Sequence, residues 1–365
     1  MANINERIQQ ALTRHEIDVL RYEQGQVKEA VAHLNNLQAQ LVNEIKRAEP
    51  RTKRQLEQLH DALDEAIDQT YRLLALESAA AFADYAVAES QAVSTISRRV
   101  FRAPIAPKLI GRDVALEIVE TTLVPDTAKG TTLRERWARQ RMGLKSNTKD
   151  GLNYAIENNQ TLDDMLKIIR GNRALNYRDG VMFRSKVGAE TVVRTATDTV
   201  TNAARLATYN RNSDVIEGIQ ANAVLDNRTT VLCRSRNGYA WRLKTGRPFR
   251  GTPIHFPGSP PWHFNCRTTL APIFRSLKEL QEVVDPELNA ELGKMDDTYS
   301  IDGRPAPTPS FSKTFDTMSK REQRRILGPG RLELYNEGKI TLKDLLDQSG
   351  RELTLAELRE RYSDD

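Results

Sequence analysis

The sequence predicts an α+β fold in which long helices surround one small, irregular β-module. Apolar residues recur at helical spacing over most of residues 3–100. The stretch from 214 to 275 instead carries β-branched residues, prolines and short alternating runs, which indicate strands and loops. The charged fraction is 28% and the aromatic fraction only 6%, a composition that favours elongated, solvated helices.

The first predicted element is a long helical hairpin over residues 1–102. Its apolar stripe contains a seven-residue repeat of Leu20, Val27, Leu34 and Leu41. Pro50 interrupts the pattern, so two antiparallel helices are expected to meet there. Because the stripe is narrow and the outer faces are charged, we expect a thin stalk or an arm that packs on a partner. The histidines of this region stand alone on its helices and are expected to be packed or solvated: His15, His33 and His60.

A proline-containing linker is predicted at 103–124, followed by a second domain at 125–278. Its helical part places Trp137 on a buried face and begins another helix with the capping box Thr161-x-x-Asp164, which ends at Gly171. The next helix, "GAETVVRTATDTVTNAARLATYNRN", is rich in Ala and Thr, which suits packing against a sheet.

The β-module at 214–275 is predicted to hold three strand regions: "IEGIQANAVLDNRTTVLC", "GYAWRLKTGRPFR" and "TTLAPIF". A helical tail is predicted at 279–365, with a linker near 303–315. No apolar run reaches the roughly 20 residues of a membrane span, and "MANINERIQQ" lacks signal-peptide features. We therefore expect synthesis in a cytosol, where two cysteines would stay reduced.

Positive charge is concentrated in one segment of a chain whose net charge is +5. From Asn227 to Lys278 there is no Asp or Glu, but there are ten Lys and Arg residues. This imbalance favours a polyanion partner, nucleic acid first, or an acidic surface of another subunit. The predicted phosphate contacts are Arg228, Arg234, Arg236, Arg242, Lys244, Arg247, Arg250 and Arg267.

The same segment contains candidate metal ligands. In "PGSPPWHFNCRTTLAP", prolines predict a stiff loop that presents His263 and Cys266 three residues apart. Cys233 and His255 could complete the four N/S ligands that structural zinc prefers. Ser235 stands where a zinc ribbon would have a second cysteine, which favours the alternative of packed, buried thiols.

Three stretches of the sequence together carry a family resemblance, in this order: "AETVVRTATDTVTNAARLATY", "LDNRTTVLCRSRNGYAW" and "PPWHFNCRTTLAP". They resemble the head-morphogenesis family of tailed bacteriophages, the minor capsid proteins named after the F protein of phage Mu. The resemblance covers about residues 125–275, plus a tail of family type. Many relatives carry Cys-Pro-x-Cys where this chain has "VLCRSRNG". The motif positions are Arg194, Thr195, Asp226, Arg228, Thr229, Gly238, Pro261, His263, Cys266 and Arg267.

The resemblance implies a structural minor head protein and not an enzyme. Such a protein would be made in the host cytoplasm and reside in the capsid interior of the virion. It would contact the portal protein and the packaged double-stranded DNA, and act in capsid assembly, genome packaging or genome ejection. The major capsid protein or a scaffold protein is a further candidate partner. The loop would be a clasp that fastens to an Asp226–Cys233 strand, with Arg267 directed toward Asp226 or a phosphate.

Two alternatives remain open at this stage. A nuclease or toxin-like enzyme could use His255 or His263 as general base, with Arg228 or Arg267 holding phosphate. The acid-free segment has no carboxylate to bind Mg²⁺, which weighs against this reading. A capsid scaffold that never touches DNA would use the same basic segment against a protein.

Overall fold

A computed structural model gives the fold, which is predominantly helical. It describes residues 2–50, 52–101, 108–123, 130–225, 229–249, 251–263, 266–283, 299–300, 302–306, 315–316, 319–342, 344–345 and 353–362. The helices are α1 Ile4–Ala48, α2 Lys53–Phe101, α3 Arg112–Thr121, α4 Leu133–Glu157, α5 Leu162–Arg170, α6 Val181–Arg211, α7 Val231–Arg236, α8 Leu277–Val283, α9 Lys320–Leu327, α10 Pro329–Asn336 and α11 Leu355–Tyr362. The strands are β1 Ala2–Asn3, β2 Ile216–Ala223, β3 Ala240–Arg242, β4 Thr268–Phe274 and β5 Tyr299–Ser300. The predicted α+β class is confirmed.

The predicted helical hairpin is present, with its break at the predicted place. α1 ends at Ala48, just before Glu49 and Pro50, and α2 runs antiparallel to it. The antiparallel pairing follows from contacts whose partners converge along the chain: His15 with Glu89, Tyr22 with Tyr85, and His33 with Glu77. The heptad stripe holds in part, since Leu34 and Leu41 are fully buried while Leu20 is 39% exposed.

The chain divides into two compact units. The first comprises Met1–Ile17, Ala86–Gly111 and Thr201–Asp365, and the second comprises Asp18–Tyr85 and Arg112–Val200. The contiguous boundaries predicted at 102, 124 and 278 stay a prediction. α3 occupies 112–121 of the predicted linker, and 102–107 lie outside the described residues. Within the described residues, no helix is both long and apolar enough to cross a membrane.

The first unit is built on a three-stranded antiparallel sheet in the order β3-β2-β4. Ile219 at the centre of β2 lies opposite Trp241 on one side and Pro272 on the other. Pro272 is tolerated because β4 is an edge strand, where a missing N–H donor breaks no ladder. The core of this sheet includes the start of α1 and the end of α2, with Phe101 packed edge-on against Phe274 at 4.5 Å. Both ends of the predicted arm are therefore part of the sheet's core.

The C-terminal turns of α6 cover the open edge of β4, as the Ala- and Thr-rich sequence predicts. The Asn202 side chain donates to the Thr268 carbonyl and accepts from the Leu270 N–H, each at 3.0 Å. The Tyr209 hydroxyl donates to the Leu270 carbonyl at 2.9 Å. Side chains of the helix thus satisfy backbone groups that an uncovered edge would leave unpaired.

The second unit contains α4 and α5, each of which begins with a capping box. The predicted box at Thr161 and Asp164 is confirmed, and α5 ends at Gly171, whose φ is +88°. Trp137 of α4 is 1% exposed, as predicted, and its indole N–H donates to the Ser78 hydroxyl at 2.9 Å. The caps and the buried indole set the register of these helices in the unit.

The predicted strand over 226–233 is wrong in its described part. Residues 226–228 lie outside the described residues, and Val231–Arg236 form helix α7. The Thr230 hydroxyl accepts the Cys233 N–H at 3.3 Å and so caps this helix. β2 ends earlier, at Ala223, whose N–H is taken by the Asn237 side chain. The β-branched run at 229–231 predicted a strand, because threonine and valine are common both in short strands and at the start of a helix.

The C-terminal tail is helical, as predicted, and forms its own apolar cluster. Phe315, Leu345 and Leu358 are fully buried in it, and Val231 of α7 packs on the same cluster. Of the predicted linker near 303–315, residues 307–314 lie outside the described residues. The part before them is held to the sheet, since the Gln220 side chain bonds both the N–H and the carbonyl of Ala306 at 2.9 Å.

Candidate functional site

The Pro-rich loop and α7 bring three of the predicted ligand side chains together. Cys233 Sγ lies 2.9 Å from His263 Nε2 and 3.5 Å from Cys266 Sγ. The Thr230 hydroxyl also lies 2.9 Å from His263 Nε2. We call Thr230, Cys233, His263 and Cys266 the clasp, because they join two segments about 30 residues apart in the chain.

The clasp is closed to solvent at its sulfur atoms. Cys233 is 1% and Cys266 is 3% exposed, in a small apolar cluster with Ala223. The hydrogen bond with Cys233, together with burial, raises the pKa of the Cys266 thiol to about 12. A buried neutral thiol is a poor nucleophile, so Cys266 is suited to holding the loop in place.

The clasp supplies three ligands of a zinc site, two sulfurs and one imidazole nitrogen. These atoms lie within 4.8 Å of one another. Tetrahedral zinc with Zn–S bonds of about 2.3 Å would hold two sulfurs about 3.7 Å apart, which the observed 3.5 Å nearly matches. A closed structural site needs a fourth ligand. His255, predicted for that place, is exposed and does not belong to the group.

The other motif residues are structural where the structure describes them. Gly238 has φ +83°, and its N–H donates to the Ala221 carbonyl at 2.9 Å, so the turn before β3 requires a left-handed residue. The Thr229 hydroxyl bonds the Val224 carbonyl, and Pro261 is buried. Arg267 is half-buried, and its carbonyl accepts from the Val224 N–H. The predicted contact of Arg267 with Asp226 lies outside the described residues, as does Arg228.

Arg194 and Thr195 of the motif lie on α6 in the second unit. Thr195 is buried, and its hydroxyl donates to the Thr191 carbonyl one turn earlier at 2.8 Å. Arg194 is half-exposed and pairs with Glu23 and Glu190. These contacts give both residues a role within the helical unit.

Comparison with known proteins found one family match. Residues 147–271 match the family described as phage Mu protein F like protein. The matched range holds every predicted motif residue from Arg194 to Arg267. Residues 147–271 make up about a third of the chain, and we call them the Mu F-like domain. The chain matches no curated protein and no solved structure.

The match at 147–271 supports a role in bacteriophage head morphogenesis. The family is one of structural head proteins, and its partners belong to the capsid. The domain starts within α4 and ends within β4, so it includes the clasp and the covered edge of the sheet.

Two arginines predicted as phosphate contacts are buried within the Mu F-like domain. Arg234 is 1% exposed, and its Nε donates to the Thr229 carbonyl at 2.9 Å. Arg236 is 4% exposed, and its guanidinium lies 4.6 Å from the centre of the Trp262 ring. Both side chains brace the clasp and its loop in this structure and present little surface to a phosphate.

Three of the predicted phosphate contacts are exposed, and they lie on β3 and the turn after it. Arg242, Lys244 and Arg247 are all exposed, while Arg250 lies outside the described residues. Arg242 pairs with Glu217 at 2.5 Å and covers the Phe249 ring. Although the segment contains no acid, the fold places Glu217 of the neighbouring strand beside Arg242. Lys244 and Arg247 are therefore the described cations of the segment best placed to contact a polyanion.

A buried ionic network in the first unit was missed by the sequence reading. Arg205 of α6 is fully buried between Glu89 of α2 and Glu16 of α1, at 2.6 and 2.9 Å. His15, expected to be packed or solvated, bonds Glu89 at 2.8 Å. The available signal was an arginine in the Ala- and Thr-rich part of α6, three residues after Asn202 and four before Tyr209, on the same helix face.

Proposed function

We propose that this chain is a structural minor head protein of a tailed bacteriophage that contacts the portal and the packaged DNA. The observation that carries the proposal is the Mu F-like domain at 147–271. The protein would be made in the host cytoplasm, be enclosed in the capsid interior, and act in capsid assembly or genome delivery.

The DNA contact is proposed for the turn after β3. Lys244 and Arg247 are exposed there, and Arg250 and Arg228 add charge nearby in the sequence. Phosphate contacts release counterions, so log K should fall with log salt by about 0.9 for each phosphate neutralised. With four to six contacts the slope would be about −4 to −5, and it should not depend on DNA sequence.

The portal contact is proposed for the helical hairpin. On α2, Leu73 is 43% and Leu76 is 70% exposed, one turn apart on the second unit's surface. Exposed leucines among charged side chains are suited to a helical partner.

A capsid scaffold without DNA contact is the second candidate. The pairing of Arg242 with Glu217 and the burial of Arg234 favour it, because both reduce the charge offered to phosphate. A nuclease based on His263 gains no support, since Nε2 of that ring is engaged by Cys233 and Thr230.

Two measurements test the proposal. Mass spectrometry of purified virions, with copy number, should find the chain at low copy beside the portal. A gel shift with random-sequence duplex DNA over a salt series should give the negative slope described above. Presence in virions without salt-dependent DNA binding would select the scaffold function, and absence from virions would refute both.

A further inference from the structure

A short loop in the second unit presents an unusual set of side chains to solvent. The loop spans 171–180, between α5 and α6, and its interior residues from 173 to 179 are all exposed. Leu175 is 56% and Tyr177 is 47% exposed. Arg173 and Arg178 flank them. Tyr and Arg dominate the binding energy of protein interfaces when they anchor in a pocket.

The loop is rigid, although it is exposed. Its ends are tied because the Asn172 N–H donates to Asp179 and the Tyr177 N–H donates to the Asn172 carbonyl, at 2.8 and 2.9 Å. Gly171 lies so close that an added Cβ would come within 2.5 Å of the Tyr177 carbonyl oxygen. Asn176 and Tyr177 have φ of +51° and +61°, which non-glycine residues seldom adopt. A preorganised loop loses little entropy on binding.

A pocket in the same unit has the complementary character. It has a volume of about 350 Å³ and lies between α2 and α4. Leu56 and Ile156 supply its apolar surface, and its carboxylates are Glu57, Asp61 and Glu157. Its basic residues are Lys149 and His60, so the three acids still exceed the bases among its lining residues.

We propose that the loop of one copy of this chain docks in this pocket of a second copy. Leu175 and Tyr177 would enter between Leu56 and Ile156, and Arg173 and Arg178 would face the carboxylates of the rim. The charge complementarity of loop and pocket favours a second copy of the chain, and not DNA, as the partner of the loop. DNA phosphates could pair with the arginines of the loop but could not bury its Leu175 side chain. Contacts of this kind join different surfaces of like subunits. The inference goes beyond the proposed function and does not depend on it.

Mixing two variants of the full chain tests the contact. The loop variant is Leu175→Ser with Tyr177→Ser, and the pocket variant is Glu57→Lys with Glu157→Lys. We expect the wild type to associate with rising concentration in sedimentation velocity, and each variant alone to associate about 30-fold more weakly or worse. An equimolar mixture should form heterodimers and nothing larger, because it retains one intact loop and one intact pocket.

Two controls complete the experiment. Leu116→Ser with Met142→Ser removes exposed apolar surface elsewhere in the unit and should leave association unchanged. Circular dichroism and thermal melting should match the wild type in every variant, since all the substituted side chains are exposed. A wild type that stays monomeric at its highest soluble concentration, or a mixture without heterodimers, overturns the proposal.

Discussion

Arg205 donates from Nε to the Glu89 carboxylate over 2.6 Å, and the two side chains are 0% and 1% exposed. Glu16 forms an ion pair with the same guanidinium at 2.9 Å, and His15 bonds the second oxygen of Glu89. Two carboxylates thus face one guanidinium and one imidazole. When His15 is protonated, the two positive and two negative charges of the network balance. Such pairing offsets the free-energy cost of removing the charges from water.

Removal of the central cation should be strongly destabilising. Arg205→Met leaves the Glu89 and Glu16 carboxylates without their shared partner, and breaking a buried pair costs about 3–5 kcal/mol. Urea unfolding should show this loss. Arg21→Met is the matched control, since its pair with Asp18 is exposed and worth about 0–1 kcal/mol. Equal losses in the two variants would contradict the assignment.

The same network predicts a pH dependence of stability. The hydrogen bond with Glu89 raises the pKa of His15 above its ordinary 6.5. Burial alone would raise the pKa of Glu89, but the Arg205 charge and the His15 bond hold it at about 2. Because His15 binds its proton more tightly when folded, its contribution is complete below about pH 6.5 and is lost as pH rises through the raised pKa.

Comparison with His15→Gln isolates this contribution, since the other titrating groups are shared and cancel. We expect the difference in free energy of unfolding between wild type and variant to shrink as pH rises above about 6.5 into the alkaline range. Urea titrations across that range measure it. A difference that stays constant over the range would exclude the linkage of His15 protonation to folding.

The clasp predicts the effect of removing one thiol. Cys266→Ser places a hydroxyl among apolar neighbours and should lower the free energy of unfolding by about 1–3 kcal/mol. We expect the same loss with and without a chelator, because the described residues complete only three zinc ligands. Metal analysis and chelator-treated melting of the wild type provide the check. A large chelator-sensitive loss, shared by His263→Ala, would instead establish a structural zinc.

The surface turn predicts how DNA binding responds to charge removal. Lys244→Ala with Arg247→Ala should weaken binding of random-sequence duplex and make the salt slope shallower by about 2, roughly 1 for each contact. Lys28→Ala with Arg134→Ala removes the same charge from exposed positions outside the basic segment and should leave the slope unchanged. An equal effect of both double variants would point to net charge alone as the cause.

Local signals in the sequence predicted most of the elements. The apolar period, the break at Pro50, the capping box at Thr161 and the buried run of β4 each depend on residues within a few positions of one another. A cap at Thr230 was misread because a threonine-valine run suits both a strand and a helix start. The motif that identified the Mu F-like domain is also linear in the chain, so it could be recognised before any coordinates.

Burial and charge pairing were decided by tertiary structure alone. No residue near Arg205 in the sequence indicates that it pairs with Glu89, which lies 116 residues away. In the same way, Arg242 pairs with Glu217, which lies on the neighbouring strand. The sequence by itself determined most of the helices and the resemblance to the Mu F-like family, because those depend on local spacing. Only the packed structure decided which arginines remain at the surface and which ligands meet at the clasp, because desolvation and pairing depend on neighbours that the chain brings together by folding.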